Sequence, residues 1–464
     1  MERSARVPYL SVALLVLTTM LALQAGHSAL VIDDPGGVTH SELDVRDDGS
    51  VLPNDVPAGS TLVSVQSFGG FTEYNGRAMI VSPEGETVWE WRPPDAAVFD
   101  SEYLANGNVQ VALAERVPAE DCPEQYRDKD HCVRNRVVEV DYDTKEVVWE
   151  YDWYDAFIHW HEVHDADRLA DGRVAIIDMG NDRTFFVNRE GEITWQWNAT
   201  KHLGEGSEFR EKYGGPASNG PEDDWTHMND VDVLHNGYVQ MSIRNFDSVI
   251  RVDPETDEIV RVFGRPDAHD VMKEQHNPQW LPERNTMLVA DSENDRVVEI
   301  TPDGEIIWQY GGSGELSWSR DADRLPNGNT LITDTYHSRV LEVNQQGEVR
   351  WEYEVAIRED GQLKEGIVYE ADRLSVDGKR LAEERSTFET VDPNSTATVT
   401  PFPDVTANDG GELDRMIPRV EAWSRFYFPY WVEFRHLLNL AAAVLVGVWL
   451  SAELAWLGWR TYRN

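Results

Sequence analysis

Two phrases recur six times each along this chain, and that count limits the fold more than any other feature of its 464 residues. The first phrase is an acidic residue, a Leu and a Gly-containing turn. It reads Leu104-Ala-Asn-Gly107, Leu169-Ala-Asp-Gly172, Leu234-His-Asn-Gly237 and Leu325-Pro-Asn-Gly328, with degenerate copies at Leu281-Pro-Glu-Arg-Asn285 and Leu374-Ser-Val-Asp-Gly378. Successive leucines lie 65, 65, 47, 44 and 49 residues apart. The second phrase is a turn, a Glu and an alternating aromatic strand, as in Gly85-Glu-Thr-Val-Trp-Glu-Trp91 and Gly304-Glu-Ile-Ile-Trp-Gln-Tyr310. Short β-branched strands such as Val174–Ile177 and Thr184–Val187 stand between the two. Four short strands per unit of roughly 45 residues, joined by Gly, Asn and Asp turns, make a propeller blade. The expected fold is therefore all-β, a six-bladed β-propeller with four-stranded blades. A sandwich or an open β array is the competing architecture. The first aromatic strand precedes the first Leu phrase, and no aromatic strand follows the last one. One blade must then be composite, with outer strands from residues 61–92 and an inner strand from residues 367–375, which removes the free sheet edges. The two long spacings are read as loop insertions at 112–136 and 201–224 on the rim.

Charge narrows the environment. Eighty-four acids against 41 bases give a formal charge of −43, which leaves no basic surplus for a nucleic-acid partner. Disorder is not implied, because 41% hydrophobic residues and 17 Trp supply a core. Only 7 of the 41 bases are Lys, and an acidic, Lys-poor, aromatic-rich chain is expected of a halophile, where salt screens self-repulsion.

Both ends carry apolar segments. Tyr9–Ala25, preceded by Arg3 and Arg6, reads either as a cleaved signal peptide within residues 1–29 or as an N-terminal transmembrane anchor. Leu437–Leu457 reads as a transmembrane helix, with an aromatic interfacial segment at 423–436 before it and Arg460 and Arg463 in a cytoplasmic tail at 458–464. Between these lie a short lead-in at 30–60, the propeller at 61–378 and an acidic Ser/Thr/Pro-rich stalk at 379–422. The expectation is a membrane-anchored protein whose propeller is extracellular. There a disulfide between Cys122 and Cys132, the two cysteines of the chain, is plausible, with a pair of unlinked thiols as the alternative.

The innermost strand of each blade faces the axis, so equivalent repeat positions form a ring. Five residues before each marker Leu stand Phe99, His164, Asn229, His276, Arg320 and Tyr369, with His227 two residues before Asn229 and His161 three before His164. Convergence of His, Asn and Arg on one register points to a site rather than to isolated satisfied side chains. The stretch Thr226-His-Met-Asn-Asp-Val-Asp-Val-Leu234, with Ser242-Ile-Arg-Asn245, resembles the arylsulfotransferase family, in a membrane-anchored form of halophilic archaeal type. That family pairs a His-x-Asn phrase with a later Arg, here His227, Asn229 and Arg244. Its His-Asp phrase is similar to His164-Asp165, and its Gln-His phrase to Gln275-His276. Larger bacterial members carry an N-terminal β-sandwich for which residues 30–60 leave too little room, and the phrase at His276 continues Asn277-Pro278-Gln279.

The resemblance implies an aryl-sulfate sulfotransferase that uses neither nucleotide nor metal cofactor. A sulfuryl group would pass from an aryl sulfate donor to a phenolic or other hydroxyl acceptor. It implies His276 as the nucleophile carrying a transient sulfohistidine. Arg244 would offer a fork of donors to the sulfuryl oxygens. His227 and His164 would donate to those oxygens or protonate the leaving phenolate, and Asn229 and Arg320 would be substrate contacts at the rim. Two other readings stand beside it: a metal-dependent enzyme using His159, His161 and His164, and a non-catalytic tethered propeller that binds a surface protein or glycan. The sulfatase signature Cys-x-Pro-x-Arg and the phosphate loop Gly-x-x-x-x-Gly-Lys are both absent.

Overall fold

The structure is a computed structural model that describes residues 38–41, 54, 56–156, 160–220, 223–312, 314–359, 361–374 and 459. Both apolar terminal segments, the stalk, the interfacial segment, most of the lead-in and His159 lie outside the described residues. Among the described residues no helix is long and apolar enough to cross a membrane.

Six antiparallel sheets make the propeller. Blade 2 runs through Ala96–Tyr103, Val109–Pro118, His131–Val140 and Val147–Ala156; blade 3 through Val163–Arg168, Val174–Asp178, Arg183–Val187 and Ile193–Asn198. Blade 4 has Met228–Val233, Val239–Ile243, Ser248–Val252 and Ile259–Gly264; blade 5 has His276–Leu281, Thr286–Asp291, Arg296–Ile300 and Ile306–Gly311. Blade 6 has Asp321–Arg324, Thr330–Asp334, Arg339–Val343 and Val349–Glu354. Blade 1 is composite: its inner strand Gln362–Arg373 pairs with Thr61–Phe68, followed by Arg77–Val81 and Thr87–Trp91. Two blades gain a fifth strand, Val38–Ser41 against the outer strand of blade 6 and Ala356–Glu359 against the inner strand of blade 1.

The repeated phrases turn out to be inter-blade locks. In the aromatic phrase, a Trp indole N–H reaches a backbone carbonyl in the outer turn of the next blade. Trp89 donates to Tyr142 O at 2.9 Å, Trp149 to Arg189 O at 3.0 Å and Trp308 to Gln345 O at 3.3 Å, while in blade 3 Trp195 at this position donates to Asp257 Oδ1 at 3.0 Å and Trp197, two residues on, to Asp257 O at 3.3 Å. Trp351 closes the ring by donating to Pro83 O at 3.1 Å. Blade 4 carries Arg261 at this position and breaks the series. The acid of the Leu phrase works at the channel end. An inner strand would leave N–H groups unpaired along the axis, and carboxylates of the preceding blade accept from them. Asp100 accepts from Ala166 N at 3.2 Å, Asp165 from Val231 N at 2.6 Å and Asp321 from Ala371 N at 3.0 Å. A third lock is a buried ion pair from the Arg before the marker Leu back to the preceding blade: Arg168–Glu139, Arg324–Glu299 at 3.1 Å and Arg373–Glu342 at 2.8 Å. Apolar side chains such as Ile80, Val111, Ile176, Met241, Val289 and Ile332 fill the space between sheets and are fully buried.

The expected rim loops are not loops throughout. At 112–136 the middle hairpin of blade 2 is lengthened, with ten-residue strands where blade 3 has five. The Cys122–Cys132 disulfide, Cα–Cα 6.0 Å, ties its tip. At 201–224 the chain forms two short helices, α1 (Ala199–His202) and α2 (Glu208–Tyr213). The Ser207 side chain caps α2 by accepting from Arg210 N at 3.1 Å, and acids fill its first turn. Phe209 pins the helix to Phe246, ring centroids 6.0 Å apart.

Candidate functional site

Four of the six ring positions fall at the start of the inner strands, where loops from the outer strand of the preceding blade deliver the chain to the axis, while Phe99 and Tyr369 lie further along theirs. His276 opens its strand, His164 and Asn229 are second in theirs, and Arg320 immediately precedes Asp321. Geometry brings these side chains together. The His164 ring lies 5.5 Å from that of His227 and 5.5 Å from that of Tyr369, and stacks on Phe99 at 4.6 Å. His276 lies 6.2 Å from Tyr369 and 6.1 Å from Trp318. The charges of Arg244 and Arg320 bear on all three imidazoles.

Each imidazole is oriented through Nδ1. His276 Nδ1 lies 2.8 Å from Ser292 Oγ. That hydroxyl has one proton and donates it to Ser319 O at 2.7 Å, so it accepts from His276. The proton of His276 is thereby fixed on Nδ1 and the lone pair on Nε2. His164 Nδ1 donates to Glu162 O at 3.1 Å, and His227 Nδ1 to the Asp224 carboxylate at 2.7 Å. Three neutral rings thus keep their Nε2 lone pairs out of these outer bonds. Protonation is disfavoured: burial first, then the cations around them, holds His276 and His164 well below the ordinary imidazole range. Burial and Arg244 push His227 down to about 4, against the pull of Asp224. His227 also sits at φ 45°, a left-handed conformation uncommon for a non-glycine residue and typical of constrained sites.

The two arginines differ. Arg244 pairs with Glu274, and its Nη1 donates to Asn245 Oδ1 at 2.9 Å. Arg320 is not at the rim, as the sequence suggested, but buried at 6% exposure. Aromatic rings replace water around it: its guanidinium carbon lies 4.3 Å from the Trp318 ring centre and 4.6 Å from that of Tyr369, while Nη1 donates to Gln66 Oε1 at 2.5 Å. Burial lowers its pKa to about 10, which leaves it charged. Asn229 is fully buried rather than at the rim, because its Nδ2 donates to Gln275 O at 2.9 Å. That bond holds the segment leading into His276.

Reading the ring alone missed Ser292, Trp318, Glu274 and Asp224. Ser292 had a signal in the repeat. After its second strand, each of blades 3 to 6 makes a short 3-10 turn beginning at Met179, Arg244, Ser292 and Thr335 respectively. One register therefore supplies Arg244 and the serine that orients His276. Trp318, Glu274 and Asp224 stand in irregular connections with no periodic mark.

The histidine metal reading gains no geometry. His161 Nδ1 lies 2.9 Å from Asp155 Oδ1, and His164 Nδ1 faces a backbone carbonyl. Among the described residues, the trio of potential ligand atoms within 4.8 Å of one another is Asp100, Asp165 and Glu370, which includes no histidine. Asp100 and Asp165 already serve as inter-blade acceptors.

A family model described as Arylsulfotransferase (ASST) matches residues 162–277, a stretch that holds His164, His227, Asn229, Arg244 and His276. No curated protein matches the chain. Similar solved structures include a protein of unknown function from Bacteroides caccae, at 13% identity over 64% of this chain and 93% of that one, TM-score 0.44. A virginiamycin B lyase from Staphylococcus aureus is 12% identical over 57% of this chain and 71% of that one, TM-score 0.35. A nidogen/laminin complex gives 9% over 68% and 97%, TM-score 0.43. Similarities at this level carry no functional argument. The chain is thus a six-bladed β-propeller whose blades 3 and 4, with the first residues of blade 5, match the arylsulfotransferase family model.

Proposed function

We propose that the protein is an aryl-sulfate sulfotransferase that works through a sulfohistidine on His276, without nucleotide. The observation that carries this reading is the neutral His276, its proton committed to Ser292 and its Nε2 lone pair left for attack, in a ring with two other imidazoles and two arginines.

In the first half-reaction His276 Nε2 attacks the sulfur of the bound ester. The S–N bond forms as the bond from sulfur to the aryl oxygen breaks. Arg244 and Arg320 hold the sulfuryl oxygens as charge shifts onto the leaving oxygen. The neutral state of His164 and His227 refines their roles: with Nδ1–H engaged, each accepts at Nε2 rather than donating. An arriving anion favours protonation of one of them from solvent, and that proton passes to the departing phenolate. In the second half-reaction the acceptor hydroxyl returns a proton to the same imidazole as its oxygen attacks sulfur. The S–N bond breaks, and His276 regains its lone pair. Once that imidazole gives its proton back to solvent, the sum is one sulfuryl group moved between two hydroxyls with no net proton change.

We also place the propeller outside the cell, tethered by the apolar terminal segments, a setting that the Cys122–Cys132 disulfide suits. The test is the ectodomain in molar salt with 4-nitrophenyl sulfate and a phenol. Nitrophenol release that requires the acceptor and is abolished in His276→Ala supports the reading. No release with any phenolic acceptor, or full activity in His276→Ala, refutes it.

A further inference from the structure

Glu274 stands at the mouth of the site and pairs with Arg244, its side chain one-third exposed against 14% for the arginine. Its position is not casual. The backbone at Glu274 is left-handed, φ 50°, and its N–H is held by Asp247 Oδ1 at 3.0 Å. The next residue, Gln275, is fully buried and accepts from Asn229 through its carbonyl, and the one after is His276. The carboxylate is thus anchored two residues from the lone pair proposed to attack sulfur.

Arg320 has no such partner. Of the buried arginines elsewhere in the ring of blades, Arg324 faces Glu299 and Arg373 faces Glu342, whereas Arg251 rests on Trp280 and donates to the Gln240 amide oxygen. Arg320 has aromatic rings and one amide oxygen, and among the described residues no carboxylate pairs with it. The three imidazoles, held neutral, add no positive charge. Asp224, held below the usual carboxylate range by its bond to His227 and the nearby cations in spite of its burial, adds a second carboxylate behind the ring. Arg244 therefore faces the Glu274 carboxylate, Asp224 is engaged by the His227 imidazole, and Arg320 is left open.

We propose that Glu274 is a specificity-determining residue: by neutralising Arg244 it matches the pocket to a singly charged aryl ester and disfavours a doubly charged one of the same shape. A sulfate monoester is the first kind and a phosphate monoester at pH 8 the second. Naming the monoanion rests on the sulfuryl-transfer reading, whereas the charge match stands on the ion pairs alone.

The test is direct binding of phenyl sulfate and phenyl phosphate to the whole protein at pH 8, by calorimetry, which needs no turnover. The wild type should bind phenyl sulfate more tightly. In Glu274→Gln, phenyl phosphate should gain on the order of tenfold in affinity and phenyl sulfate several-fold less, because the added unit of positive potential acts twice on a dianion. Glu274→Asp should restore the wild-type ratio. The proposal is overturned if folded Glu274→Gln keeps that ratio, if it binds both anions more weakly (Glu274 then only orients Arg244), or if the wild type prefers the phosphate or binds neither. A shifted ratio in a protein that never turns over aryl sulfate leaves this proposal standing and removes the sulfuryl-transfer reading.

Discussion

The bond from His276 to Ser292 gives the sharpest prediction. Ser292→Ala deletes an oxygen that accepts from His276 Nδ1 at 2.8 Å and donates to Ser319 O at 2.7 Å, all of it buried. Leaving a buried donor unsatisfied costs about 1–3 kcal/mol. The imidazole can avoid that cost by moving its proton to Nε2, which removes the lone pair needed for attack. If the same 1–3 kcal/mol is the tautomer preference lost, turnover should fall by roughly 5- to 150-fold. Stability should fall by a similar energy, since Ser319 O also loses its donor. Ser292→Thr should retain most of the rate, because blade 6 carries Thr335 at the same turn position. The assay is steady-state nitrophenol release beside a urea melt, with the His276 tautomer read from its 15N shifts. Turnover within twofold of wild type in Ser292→Ala, or a lowered rate with the proton still on Nδ1, would refute the tautomer argument.

Two further outcomes follow from the same geometry. The pH profile of kcat/KM reports the free enzyme, and the neutral imidazole is the working form. With His276 held well below the ordinary range and His227 down to about 4, no loss of activity should set in as pH falls through 6.5, and any acid limb should lie lower; a fall centred on 6.5 would show an ordinary, hydrated histidine. Glu342→Gln strands the buried Arg373 charge in the composite blade and should cost about 3–5 kcal/mol in a urea melt, whereas Glu342→Leu with Arg373→Met should cost far less; equal losses would mean the pair's charge is not what matters.

Much of the scaffold was legible because the propeller repeats its chemistry. The Trp of the aromatic phrase, the acid of the Leu phrase and the Arg before the Leu each recur because each bridges to a neighbouring blade, the Arg at three of the junctions. A composite blade follows from the order of the two phrases alone. The ring of Phe99, His164, Asn229, His276, Arg320 and Tyr369 was legible for the same reason, as equal positions on inner strands converge on one axis. Sequence did not fix depth or partner. Arg320 and Asn229 were placed at the rim, yet packing against Trp318 and Tyr369 buries the first and a bond to Gln275 O buries the second. The long spacing at 112–136 became an extended hairpin rather than a loop, since added residues can continue a ladder as readily as leave it. What decides the chemistry lies in the connections between blades. There Asp224, Glu274 and Trp318 take positions set by non-periodic backbone, with φ 50° at Glu274 and 54° at Trp318. Periodicity reports the parts of a chain that do the same job several times. A site does its job once, so the carboxylate that sets its charge carries no periodic mark, and only the folded ring brings it to Arg244.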